Sequence, residues 1–135
     1  MIKAVTYILE NNATVANLIG NNAANDKTKV YPVVVPESEK APYLVVRMTS
    51  KTLQGKGCNF LFGFEVICYA KSYDDLDEIE DAVTSALTGQ AADNINGWAV
   101  SYIHFTNESD DYVKEHALYA KVINFEGSAI ITNET

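Results

Sequence analysis

The chain has 135 residues, 47% of them apolar, with 18 Asp plus Glu against 10 Lys plus Arg and a net charge of −8. A single domain of this size buries about two thirds of its unfolded surface and needs neither disulfide nor metal to hold it. The acidic balance excludes an extended sequence-reading nucleic-acid surface, which requires a basic footprint, and no apolar run approaches the roughly 18 residues of a membrane span.

The start, Met1-Ile2-Lys3-Ala4-Val5, has no charged segment followed by an apolar stretch and a cleavage site. The expected location is the cytoplasm of the cell that makes the chain. Sequon matches at Asn12, Asn107 and Asn133 are then chance. Residues 1–19 read as helical. Ile2, Val5, Ile8 and Leu9 form one apolar face, and Val15, Leu18 and Ile19 another. Asn11-Asn12 breaks or re-caps this helix, and Gly20 stops it. Residues 21–29 are polar and predict a loop.

Residues 30–35, "VYPVVV", are β-type. Pro32 lacks a backbone donor, so the strand belongs at a sheet edge. Residues 36–42 carry a charged turn bracketed by Pro36 and Pro42, which predicts a stiff connection, because proline restricts its own backbone and the residue before it. Residues 43–50, "YLVVRMTS", predict a strand with Leu44, Val46 and Met48 on one face. A loop is expected over 51–58, "KTLQGKGC", and a long central strand over 59–70, "NFLFGFEVICYA", apolar on both faces. These two strands make a long hairpin.

Residues 73–88 give the clearest helix. Ser72 caps it, Asp74, Asp75 and Asp77 suit its N-terminal dipole, and Leu76, Ile79, Val83 and Leu87 form its buried stripe. Gly89 ends it. Strands follow at 98–106 and 117–126, joined by a polar connection, "NESDDYVKEH". The fold class is α+β: one domain spanning 1–135, with a mainly antiparallel sheet of four to five strands and helices packed on a face.

Enzyme motifs are missing: no G-x-S-x-G, P-loop, G-x-G-x-x-G or H-E-x-x-H occurs. His104 and His116 lie apart and suit surface positions, and "ADNINGW" at 92–98 fails as a calcium loop, with Ala92 in place of the first Asp and Ile103 in place of the final Glu. The acidic run at 74–81 fits the solvated side of an amphipathic helix. Cys58 and Cys68 form no C-x-x-C pair. Cys68 reads as a small buried hydrophobe, and no disulfide between the two is expected. The fourteen aromatic residues sit at strand spacing among aliphatics, so most are expected in the core. No catalytic residue, metal ligand or cofactor site is predicted.

Four patterns in order carry a resemblance over residues 1–126: a helical segment ending in "LIGNN", then "VYPVVVPESEKAPYLVVRM", then "FGFEVICYA" leading directly into "KSYDDLDEIEDAVTSAL", and last "DDYV" before "YAKVINFE". In this order and spacing the sequence resembles the tail-completion, or tail-terminator-like, proteins of long-tailed bacteriophages. The resemblance implies a non-enzymatic subunit of the virion, at the head-proximal end of the tail. It would form a homo-oligomeric ring, a hexamer, that caps the tail tube, contacts the tube protein and docks the head–tail connector. DNA would pass through without sequence-specific binding, and no membrane partner is implied. Under this reading the proline-bracketed segment stiffens a subunit boundary. Arg47, Lys51, Gln54 and Lys56 are the candidate interface residues, three of them cations in an acidic chain that could meet acidic partners. The alternatives are a head–tail adaptor ring and, from another class, a small soluble ligand-binding domain with one closed apolar pocket.

Overall fold

Asn12 divides the N-terminal helical stretch. Its extended backbone and its side chain, which accepts from the Val15 N–H at 3.1 Å, end α1 (Ile2–Glu10) and start α2 (Ala13–Ile19). Gly20 closes α2 at φ 75°, a conformation that favours glycine. The third helix, α3 (Tyr73–Leu87), begins where Ser72 accepts from the Asp75 N–H at 3.2 Å and buries Leu76, Ile79, Ala82, Val83, Ala86 and Leu87. Beyond its end the Gly89 N–H donates to the Ile103 carbonyl at 2.8 Å, which ties the helix to the sheet. The structure, a computed structural model, describes residues 2–21, 27–33, 35, 39–54, 59–89, 92–95 and 97–131.

The strands are β1 (Val30–Pro32), β2 (Tyr43–Leu53), β3 (Asn59–Ala70), β4 (Ala92–Ile95), β5 (Trp98–Val113) and β6 (Leu118–Ile131). They form one sheet in the order β1-β2-β3-β6-β5-β4. Only β1 and β2 run parallel; every other pair is antiparallel. The α+β architecture, the hairpin of β2 and β3, the central position of β3 and the edge position of β1 follow the sequence reading.

Among the described residues the sheet holds the five expected strands and one short addition, β4. It lies at one edge, and β1 stops at Pro32, where Val33 turns to φ 68°. Residues 51–53, expected in a loop, continue β2; residues 55–58 lie outside the described residues. The largest correction concerns "NESDDYVKEH". Residues 107–113 are not a connection but the second half of β5, paired with β6 from Asn107↔Asn124 to Val113↔Leu118. Only Lys114–His116, a single 3-10 turn, and Ala117, at φ 51°, join the two strands. β6 likewise runs on to Ile131. Local propensity disfavours Asn, Asp, Glu and Ser in strands, but pairing along a long neighbour overrides it.

The helices cover one face of the sheet. There Val5, Leu9, Val15 and Ile19 of α1 and α2 and the α3 stripe meet Leu44, Val46, Phe64, Val66, Cys68, Ile123 and Phe125. Phe64 stacks between Phe62 and Phe125, with ring centres 5.7 and 5.2 Å apart. Burial raises the pKa of the Cys68 thiol far above its ordinary range, so it packs as an inert apolar group. On the other face a smaller cluster of Tyr43, Val45, Ile67, Leu118 and Ala120 packs with Val35 and Ala41. Lys29 Nζ donates to the Lys40 carbonyl at 2.9 Å and Tyr31 donates to Glu39, which anchors part of the proline-bracketed segment on this face. Pro42 immediately precedes β2; Pro36 lies outside the described residues.

Two glycines sit at close approaches between strands. A Cβ on Gly63 would stand 2.8 Å from Ser50 Oγ and 2.9 Å from Thr49 Oγ1, so Gly63 makes room for the bulge in β2. A Cβ on Gly127 would stand 2.5 Å from the Tyr102 carbonyl oxygen, where β5 is bulged.

Candidate assembly interface

The bulge decides the fate of the predicted interface residues. Arg47 precedes it and pairs with Glu65 opposite, on the face away from the helices, with Nε 2.7 Å from Oε1. Lys51 follows it and pairs with Phe62, so it lies on the helix side. Its Nζ stands 4.9 Å from the Phe60 ring centre and 4.6 Å from that of Trp98, in cation–π geometry. The structure therefore does not bring Arg47 and Lys51 together in one patch. Gln54 is exposed at the end of β2, where its N–H donates to the Asn59 carbonyl at 2.8 Å and begins the hairpin closure. Lys56 lies outside the described residues.

A denser constellation lies where α3 meets the second half of β5, a region read in the sequence as helix surface and loop. Asp74, Asp75, Asp77, Glu78, Glu80 and Asp81 come from α3, and Glu108 and Asp110 from β5, while Asp111 takes the opposite face of the sheet. These eight carboxyl groups are nearly half of the chain's 18. Lys121 of β6 is buried among them. Its Nζ lies 3.5 Å from Asp110 Oδ1, 3.8 Å from Asp77 Oδ1 and 5.4 Å from the Tyr73 ring centre. Tyr73 completes the group by donating to Asp110 Oδ2 at 3.0 Å.

Charge sets the protonation of this cluster. Burial works against the Lys121 ammonium, but Asp110 and Glu108 outweigh it and hold the pKa above its ordinary value. Glu80 shows the opposite effect. A hydrogen bond with Glu108, then burial, then a hydrogen bond with Asp81 push its pKa up to about 8. At neutral pH Glu80 therefore keeps its proton and donates it, so α3 and β5 share a hydrogen bond where two carboxylates would repel. The hydrogen bond to Asp110 raises the Tyr73 pKa in turn.

Aromatic residues border the same region. Tyr73, Tyr112 and Tyr119 are exposed there, with Tyr119 packing at 5.0 Å on Tyr112 and at 6.0 Å on Tyr73; Phe105 and Tyr102, nearer the β4 end of β5, are exposed as well, Tyr102 on the opposite face. With Tyr7, six of the fourteen aromatics are exposed, and four (Tyr43, Phe62, Phe64 and Phe125) are buried. This corrects the expectation that most lie in the core. Strand alternation tells which face a side chain takes, not whether anything covers that face.

Among the described residues no group of His, Cys, Asp and Glu is arranged to hold a metal ion. His104 is exposed on β5, 3.6 Å from Glu126, and His116 lies in the 3-10 turn. The larger described concavities are open grooves. One of about 550 Å³ between α2 and α3 is lined by Asn12, Leu18, Glu78 and Asp81. Another of about 610 Å³, on the face away from the helices, is lined by Tyr43, Lys71, His116 and Leu118. Among the described residues no helix is long and apolar enough to cross a membrane.

No family model matches the sequence, and no curated protein does. Solved structures do match its fold. One chain of the structure described as "Virion of native gene transfer agent (GTA) particle" superposes with a TM-score of 0.67 at 19% identity, over 93% of this chain and 91% of that one. At that identity the likeness is one of fold, and it extends through nearly the whole of both chains.

Proposed function

We propose that this chain is a structural virion protein of the tail-completion class, a non-enzymatic subunit that caps the tail tube as a ring and joins it to the head connector. The observation that carries the reading is the full-length fold likeness to a chain of a gene transfer agent virion. The order of sequence patterns independently supports the same class. A ring of six subunits is the proposed assembly, with the tube protein on one side and the connector on the other. The concentrated negative charge of α3 and β5 suits such a role: where it faces a passing DNA it repels phosphates and discourages adhesion. Open grooves and exposed edge aromatics suit broad protein contacts better than capture of a small ligand, which favours an enclosed apolar pocket.

The direct test is immuno-gold electron microscopy of particles from a lysate of the source, with antibody against this chain. Label at the head-proximal end of free tails is the expected result. Label confined to tailless heads would assign the chain to the adaptor ring instead. Absence of label from every particle would remove the virion role.

A further inference from the structure

We propose that the free strip of β5 pairs, strand to strand, with the outer edge of β2 in a second copy of this chain. The inference rests on the ring reading and names the contact that would build the ring. β4 reaches β5 only at Ala92↔Val100 and Ile95↔Trp98, whereas β6 accompanies β5 on its other side as far as Val113. From Tyr102 to Val113 the outward backbone groups of β5 thus face no strand among the described residues. The outer side of β2 is similar. β1 covers it from Leu44 to Val46, leaving Met48–Leu53 uncovered among the described residues. Rows of outward N–H and C=O groups are templates for an added strand.

Charge chooses between the pairings. Two β5 strips set against each other would oppose Glu108, Asp110 and Asp111 to the same three residues of the other copy, which is repulsive. The β2 segment from Arg47 to Gln54 contains Arg47 and Lys51 and no Asp or Glu. Arg47, which also pairs with Glu65, and Lys51 lie on opposite faces, so each face of this segment offers one cation and no carboxylate to the acidic strip, and each strip exposes apolar surface: Tyr102, Phe105 and Tyr112 on β5, Leu53 on β2. An edge merely protected against pairing would carry the charges without these side chains.

Topology agrees. Along the row β2-β3-β6-β5 each strand runs opposite to its neighbour, so β5 runs opposite to β2. Copies related by rotation about an axis along the strands then present β5 antiparallel to the next β2. The contact is heterologous, β5 to β2 and never β5 to β5, and such contacts generate rings when the rotation closes. The β1 end of β2 aligns with Asp110, through Leu44↔Cys68↔Lys121↔Asp110, and the β4 end of β5 aligns with Leu53, through Leu53↔Phe60↔Ala129↔Val100. Tyr102–Phe105 thus lies level with Met48–Thr52, through Thr52↔Leu61↔Ser128↔Tyr102 and Met48↔Phe64↔Phe125↔Phe105, whereas the acidic part of the β5 strip lies beyond it, level with the end of β2 that β1 covers. Neighbouring copies would be staggered along the strands, as in any closed sheet of tilted strands, and neither β1 nor β4 obstructs the pairing.

The test uses the full chain and three variants, D111K, R47E and the two combined, since Asp111 and Arg47 share the face away from the helices. Asp111 lies on the face away from the Lys121 cluster, so its reversal leaves that cluster intact. Native mass spectrometry and sedimentation velocity follow association, and hydrogen exchange of β3 verifies folding. Each single reversal is expected to weaken association about tenfold or more, and the combination to recover most of the loss. Assembly should also slow amide exchange at Met48–Leu53 and Tyr102–Val113. Full-sized oligomers unaffected by either reversal, or protection elsewhere only, would overturn the pairing and leave the ring reading standing. A wild-type chain still monomeric at about 1 mM would overturn it too, and the immuno-gold result would then decide the virion role separately.

Discussion

The shared proton of Glu80 gives a stability prediction with a definite sign. In the folded chain Glu80 keeps its proton up to about pH 8, against an ordinary value of 4.5. Between those values the folded state binds the extra proton and the unfolded state does not. Stability contributed by this group is therefore present in full below pH 4.5 and is lost as pH rises towards 8. At about 1.36 kcal/mol per pH unit the full interval would be worth about 5 kcal/mol. Glu80 is only partly buried and its neighbours reach solvent, so screening reduces the effect to the order of 1 kcal/mol. The perturbation is Glu80→Gln, which keeps a donor towards Glu108 and cannot ionise. Urea unfolding at pH 5.5, 7 and 9 should show the wild type losing on the order of 1 kcal/mol across the range, with the variant losing distinctly less. Parallel pH profiles for the two proteins would refute the shared proton. Restricting the series to pH above 5 keeps ordinary carboxylates ionised throughout, so the comparison isolates this one.

Other perturbations test the packing. Phe64→Ala removes the centre of the Phe62–Phe64–Phe125 stack and should cost about 3–5 kcal/mol in chemical unfolding; a loss under about 1 kcal/mol would mean the core is not packed as described. Ser72→Ala removes the cap of α3 and should cost about 1 kcal/mol, readable as a shift in the urea midpoint. Gly127→Ala drives a methyl towards the Tyr102 carbonyl and should destabilise by about 1–3 kcal/mol; a neutral result would show that the β5 bulge relaxes freely.

The sequence made the helix-covered half of the molecule legible. Leu76, Ile79, Val83 and Leu87 recur at helical spacing, and "NFLFGFEVICYA" is apolar on both faces because β3 lies between β2 and β6. Asn12, Ser72 and Gly20 mark helix ends through local chemistry, so they too could be read directly. The edge could not. Residues 107–113 have loop-like composition, and only register with β6 makes them a strand. One signal was present: Glu108, Asp110 and Tyr112 alternate with Ser109, Asp111 and Val113, a period of two without an apolar face. The bulge at Thr49, which separates Arg47 from Lys51, left a trace only in Gly63 on the neighbouring strand. Pairing at a distance governs both features, and periodicity within a single segment does not record it.

Lys121 shows why the acidic edge holds together. Its alternating position in β6 directs it to the helix side, where Ile123 and Phe125 are buried hydrophobics. A buried ammonium is costly unless carboxylates surround it. Asp77 and Asp110 supply them from α3 and β5, and the proton on Glu80 removes one of the repulsions that remain. The cation and the proton thus allow helix and strand to bring eight carboxyl groups to one side of the molecule without separating. Stability alone would be met more simply by an apolar contact at this seam, since well-packed hydrophobic replacements of buried ion pairs are often neutral or stabilising. In the proposed ring the outer carboxylates would face the β2 edge of a neighbouring copy and the path of a polyanion.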